Sequence, residues 1–358
     1  MNFNNKHILI LPVIFISLFY GIFTGLIKMG WEFPAELNFS EHGAIMVGSF
    51  IGTLISLERS LTLKNKIALL VPLVNSLSII FFLLKLNYIA YYFLLIGAIG
   101  LIIIYYTIYV KYKTFYTLIM LAGALCYFIG NAVLIKSAFY PSAVMWWFAF
   151  IFFTIAAERI ELTKFTLAKN ANKKIFVLII MLMLFIAGIL IPFHSSGGYI
   201  IGISLIGSVI WFMKYDIIKV SIKKTGQFFY SALLLLTGYI WLIITGIFFI
   251  YGVYFGLFYD SALHSFFIGF VFQMIFAHAP LILPIVLKLN LNSVNLFSKS
   301  LYIWYVLLNL SLALRILSSI DIIPLPKLYF GFASGISIIG FFINIRFLFH
   351  YRTRSVIN

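Results

Sequence analysis

The sequence predicts an all-α integral membrane protein, a single polytopic domain of about twelve transmembrane helices over residues 1–358 with both termini cytoplasmic. Three observations lead there. Hydrophobic residues make up 64% of the chain and charged residues 9%, with a mean hydropathy of +1.12, far from the roughly half-apolar, quarter-charged makeup of a soluble domain. Apolar runs recur from end to end, each of the ~20 residues that a helix needs to cross a ~30 Å hydrocarbon core. The basic residues lie in short clusters between those runs and alternate in density from one loop to the next.

Cutting at polar clusters and at Pro and Gly places spans near 8–28, 40–60, 66–85, 88–110, 114–136, 141–163, 174–193, 197–214, 227–252, 260–287, 300–320 and 327–349. A barrel is excluded, because its strands alternate apolar and polar residues and these runs do not. The first run extends too far for a secretory signal and no small-x-small cleavage site follows it. An N-inside arrangement of these spans puts 20 of the 25 Lys and Arg on the cytoplasmic side, leaving Lys28, Lys85, Lys136, Arg315 and Lys327 outside. A miscounted helix would invert every later loop and scramble that partition. The net charge of +16 is therefore accounted for by membrane loops, with the lipid bilayer as partner and no nucleic acid. The chain is expected in a bacterial inner membrane. Cys126 is the only cysteine, so no internal disulfide or thiolate cluster is expected, and it reads as a small buried apolar residue.

Ionisable groups inside a bilayer cost ~2.5–3.5 kcal/mol each, so those within spans are sites or paired structural groups. His7 and His350 fall at interfaces. His42 opens the second helix and His264 the tenth, both even-numbered, so both start on the outer side at nearly equal depth. Opposed imidazoles at one depth are what six-coordinate haem iron takes as axial ligands. The competing reading is two interfacial histidines bonded to backbone or lipid headgroups. At helical pitch, Ser49, Thr53 and Ser56 share the His42 face, and Gly48 with Gly52 forms a small-xxx-small pair open to a neighbour or a flat cofactor. His278 lies fourteen residues after His264, within ~40° of the same face and ~21 Å deeper on an uninterrupted α-helix. There it would join Glu58 and Arg59 of helix two and Glu158 and Arg159 of helix six. That cluster reads either as ion pairs that pin helix ends or as haem propionate anchors, a proton-entry group or a metal site. His194, in the outer loop Phe193-His194-Ser195-Ser196-Gly197-Gly198, is a candidate third metal ligand beside His42 and His264. No phosphate-cradling loop, zinc-protease helix or nucleophile elbow is present.

Twelve helices with histidines opening the second and tenth resemble subunit I of the haem-copper oxidases. The segments Glu41-His42-Gly43-Ala44-Ile45-Met46-Val47-Gly48, Ala157-Glu158-Arg159-Ile160-Glu161-Leu162 and Leu263-His264-Ser265-Phe266-Phe267-Ile268-Gly269-Phe270 resemble more closely a reduced relative. That relative is the NnrS family of haem- and copper-containing membrane proteins linked to nitric oxide metabolism. The resemblance implies an oxidase-like bundle, haem b on His42 and His264, a possible copper ion and a small gaseous ligand. An oxidase would also carry a histidine with a nearby tyrosine in helix six, adjacent histidines in helix seven and a His-x-His pair in helix ten. None is here, which argues against oxygen reduction. The expected function is a haem-binding, possibly copper-binding, membrane protein in redox or nitric-oxide-stress physiology. The alternatives are a proton-coupled secondary transporter using Glu58, Glu158 and His278, or a non-catalytic assembly partner of a respiratory complex.

Overall fold

A computed structural model describes residues 8–33, 38–63, 65–163, 171–252, 258–286 and 296–357. Among them lie eleven helices long and apolar enough to cross a membrane: α1 (Ile10–Lys28), α2 (Phe39–Thr62), α4 (Asn87–Tyr112), α5 (Phe115–Ser137), α6 (Tyr140–Thr163), α7 (Ala171–Leu190), α8 (Ser195–Tyr215), α9 (Gln227–Gly252), α10 (Tyr259–Pro284), α11 (Leu301–Ser319) and α12 (Lys327–Arg352). A shorter apolar helix, α3 (Ile67–Leu83), completes the expected twelve. Described residues at the surface and in the interior are distributed as lipid requires. Large aliphatic side chains such as Ile103, Met183 and Ile210 are exposed, while Asn75, Arg159, Asp216 and Gln273 are buried. Lipid tails accept apolar side chains and offer no hydrogen bonds, so the polar groups turn inward. The chain is an all-helical multi-pass membrane protein.

The helices form two compact units, Met1–Glu158 and Arg159–Asn358, with the boundary inside α6. In the first unit, polar side chains tie neighbouring helices. Asn75 of α3 donates to the Gly48 carbonyl (2.8 Å) and the Thr53 hydroxyl (3.0 Å) of α2 and accepts from Tyr127 of α5 at 3.0 Å. Asn131 of α5 donates to the Leu94 carbonyl of α4 and accepts from the indole of Trp147 in α6. Such interhelical bonds replace the hydrophobic drive that lipid does not supply between helices.

The second unit repeats the device with other residues. Trp241 of α9 donates to Asn309 of α11 at 2.7 Å, and Thr237 bonds Tyr305 of α11 at 2.8 Å. Ser231 of α9 donates to the Ala277 carbonyl of α10. Ser311 and Ser334 join α11 to α12, and Phe276 of α10 stacks on Phe341 of α12 with ring centroids 3.7 Å apart.

Two helices carry long π segments in their interiors. Ile45–Gly52 in α2 and Ser265–Phe272 in α10 are π segments of eight residues each. An inserted residue in an α ladder delays the rotation of everything after it by about one residue's turn, ~100°. The Gly48 carbonyl that Asn75 satisfies lies inside the first of these segments.

Tight reversals join several helices through non-glycine residues in the left-handed region, among them Lys113 after α4 (φ 48°) and Ala138 after α5 (φ 50°). A Cβ in that conformation costs about 1–2 kcal/mol that glycine avoids. Ala138→Gly is expected to raise stability by about 1 kcal/mol, read as a higher midpoint in thermal unfolding of the detergent-solubilised protein; an unchanged or lower midpoint would contradict the assigned turn.

Candidate functional site

The first turn of α2 is organised around Glu41, which is 4% exposed. Its Oε1 accepts from Ser40 (2.9 Å) and Asn87 (3.2 Å), and its Oε2 accepts from the hydroxyls of Tyr91 and Tyr140, both at 2.5 Å. Four donors from the helix start, α4 and α6 thus saturate one carboxylate and fix where α2 begins. Next to it, His42 points the other way, to α1. Its Nδ1 lies 2.7 Å from the Gly21 carbonyl. A carbonyl only accepts, so Nδ1 carries a ring proton. Gly25, one turn along α1, lies against the same ring. A Cβ there would come within 2.7 Å of His42 Cε1 and 2.9 Å of Nδ1.

The face expected beneath His42 is rearranged by the π segment. Ser49 bonds Ser78 of α3, and Thr53 bonds Asn75 of α3, whereas His42 faces α1; Ser56 donates to its own helix at the Thr53 carbonyl. Gly48 and Gly52 do not form a slot for a flat group. The first abuts Leu94 and the second Tyr127 and Asn75, so both glycines serve close helix packing.

His264 has an analogous arrangement in the second unit. Its Nδ1 lies 2.8 Å from the carbonyl of Asp260 and 3.0 Å from that residue's carboxylate, one helical turn earlier. The buried Arg315 of α11 clamps both carboxylate oxygens, at 3.0 and 3.3 Å. Arg315, which the loop partition left as an unexplained outer cation, therefore neutralises Asp260 and holds it against the ring. Here too Nδ1 carries a ring proton. His42 and His264 belong to different units.

The expected inner cluster resolves into two sets. In the first unit Arg59 pairs with Glu158, and with Glu58 at 3.6 Å. In the second, Arg159 Nη2 lies 3.0 Å from His278 Nε2, while His278 Nδ1 lies 2.7 Å from the Met274 carbonyl. Guanidinium only donates, so His278 is neutral with both nitrogens engaged, and its Nε2 does not serve a metal in this arrangement. Its position also differs from the α-helical expectation. The π segment lies between the two histidines, and one inserted residue moves His278 from the His264 face to about 140° away from it. Asp216, 1% exposed, adds a group that the sequence reading passed over. It caps the turn Ile218–Ser221 through the Ile218 amide and accepts from Tyr239 at 2.5 Å. The side chain of His194 lies outside the described residues, as does His7. Among the described residues no three His, Cys, Asp or Glu side chains are grouped to hold a metal ion.

The fold and these sites define a multi-pass helical membrane protein whose histidines at the starts of two π-bearing helices are oriented through Nδ1. The chain belongs to a family described as a domain of unknown function (DUF8744), which it matches over residues 7–347. No curated protein and no solved structure matches it.

The packing of His42 on Gly25 yields a double-mutant test. Gly25→Ala alone should cost about 1–3 kcal/mol by overpacking, but much less in a His42→Ala background, where the ring that it strikes is gone. Additive losses in unfolding measurements on the single and double variants would show that the two residues do not touch.

Proposed function

We propose that this protein binds haem b in a bacterial cytoplasmic membrane, that His42 and His264 would hold it, and that it acts in redox or nitric-oxide-stress physiology. The carrying observation is the matched orientation of the two imidazoles: each gives an Nδ1 proton to a fixed acceptor, which in the neutral ring makes Nε2 the nitrogen for coordination. Ligating histidines are held by that kind of outer bond, which fixes the ring and raises its basicity. The residues present therefore suit an iron porphyrin in donor chemistry. Bound haem would supply reversible one-electron exchange and, with a small gaseous molecule, a place to bind it.

The protein's own contributions are distinct at the two ligands. At His42 the Gly21 carbonyl orients the ring and Gly25 gives it room. At His264 a carboxylate orients it, and Arg315 keeps that carboxylate charged yet balanced. Copper has no comparable donor set among the described residues, so the proposal is confined to haem. Glu58, Arg59 and Glu158 are engaged within one unit, and Arg159 and His278 within the other, which favours helix-end pinning over propionate binding or proton coupling.

Protein purified in mild detergent from a haem-replete host should show reduced-minus-oxidised b-type bands. His42→Ala and His264→Ala should lose them while still eluting as folded, monodisperse protein; a wild-type spectrum without bands would overturn the reading. Asp260→Asn should keep the bands and raise the midpoint potential, on the order of tens of millivolts, because a less basic imidazole favours ferric iron less. An unchanged potential would mean that the carboxylate does not act on the ligand.

A further inference from the structure

Among the described residues, four buried side-chain atoms of α10 lack a hydrogen-bond partner: the hydroxyls of Ser261 and Ser265 and both amide atoms of Gln273. Ser265 and Gln273 are fully buried and Ser261 is 2% exposed. Serine in a helix ordinarily turns its hydroxyl back to a carbonyl three or four residues earlier, as Ser17, Ser60 and Ser208 do here. Ser261 and Ser265 do not. A glutamine amide has two donor hydrogens and an acceptor oxygen, and leaving all of them unmet in a membrane interior is strongly unfavourable. Gln273 therefore needs a partner that both donates and accepts.

The π segment decides where that partner would sit. On an uninterrupted α-helix Gln273, nine residues after His264, would point to the opposite side. One inserted residue brings it to within about 80° of the His264 direction, roughly 12 Å along the helix. Such segments occur frequently at functional sites. Across from it, Gly238 of α9 has no side chain, and the positions nearest to it are the Gln273 Cβ and the Met274 methyl. The Met274 thioether thus flanks the same spot.

We infer that α10 carries an internal binding site for small uncharged hydrogen-bonding molecules, water first among them, with Gln273 as its double contact and Ser261 and Ser265 as contacts nearer His264. Water has the required donor and acceptor sides and satisfies buried groups of this kind elsewhere in proteins. The site does not depend on haem and lies in the second unit alone.

Radiolytic labelling of the wild-type protein in H2(18)O tests it, because hydroxyl radicals formed from bound water oxidise the side chains beside it. Met274 and Met120 are both buried, at 6% and 3% exposure, so neither is reached well from the surface. Met274 should take up 18O as sulfoxide about tenfold faster than Met120, and Gln273→Leu should bring it down to the Met120 level. Equal labelling of the two methionines in the wild type, or undiminished labelling of Met274 in Gln273→Leu, would overturn the assignment. A nearly isosteric probe guards against a folding defect. In a Cys126→Ala background, Ser265→Cys should react with a small water-soluble methanethiosulfonate faster than Leu205→Cys, at a fully buried position of α8, since the thiolate needs water to form; equal inertness would overturn it.

Discussion

The constraint on which the rest of the structure depends is that hydrocarbon offers no hydrogen-bond partners. Every polar atom brought into the bundle has to be answered from within it. That explains why single asparagines occupy the junctions between helices: Asn75 answers a carbonyl, a hydroxyl and a phenol at once, and Asn131 answers a carbonyl and an indole. It also explains why buried charges come as sets. Glu41 has four donors, Asp260 has Arg315, and Arg59 has Glu158. Against that background the unanswered atoms on α10 stand out as a departure that the fold retains.

The π segments work within the same constraint. Inserting a residue loosens the ladder and frees carbonyls, which would be costly unless another group took them. At Gly48 the Asn75 amide does so. In exchange the helix changes phase midway, so that the residues before and after the segment address different neighbours. In α2 this turns His42 to α1 while Ser49 and Thr53 address α3. In α10 it separates His264 from His278 and draws Gln273 toward the His264 side.

Helix number and approximate limits were legible in the sequence because length and hydropathy are properties of each segment alone. The α3 segment, expected near 66–85, is a helix over Ile67–Leu83, and the α10 segment, expected near 260–287, begins at Tyr259. What depended on phase was not legible. A hydropathy pattern carries no mark of an inserted residue when nearly every residue of the stretch Ser265–Phe272 is apolar. The faces assigned to His42 and His278 were wrong for that reason. Partners distant in sequence were equally hidden: nothing local links Arg315 to Asp260, or Tyr140 to Glu41. A partial signal did exist, since the chain has only nine acidic residues. Asp260 stands one turn before His264, and Gly21 and Gly25 form a small-xxx-small pair in α1.

The two histidines are alike in tautomer and unlike in what fixes it, and the difference has chemical weight. A backbone carbonyl is a neutral acceptor whose position follows its helix, so the His42 ring is set by the packing of α1 and by the absence of a side chain at Gly25. A carboxylate is a charged acceptor that pulls harder on the Nδ1 proton and makes Nε2 a stronger donor to a metal. Arg315, with its side chain 6% exposed, contacts both oxygens of the partly exposed Asp260 carboxylate and balances its charge. The inequality between the histidines thus originates in α11, outside the two helices that carry them. An electronic adjustment of the His264 ring is therefore available through a residue that does not touch it.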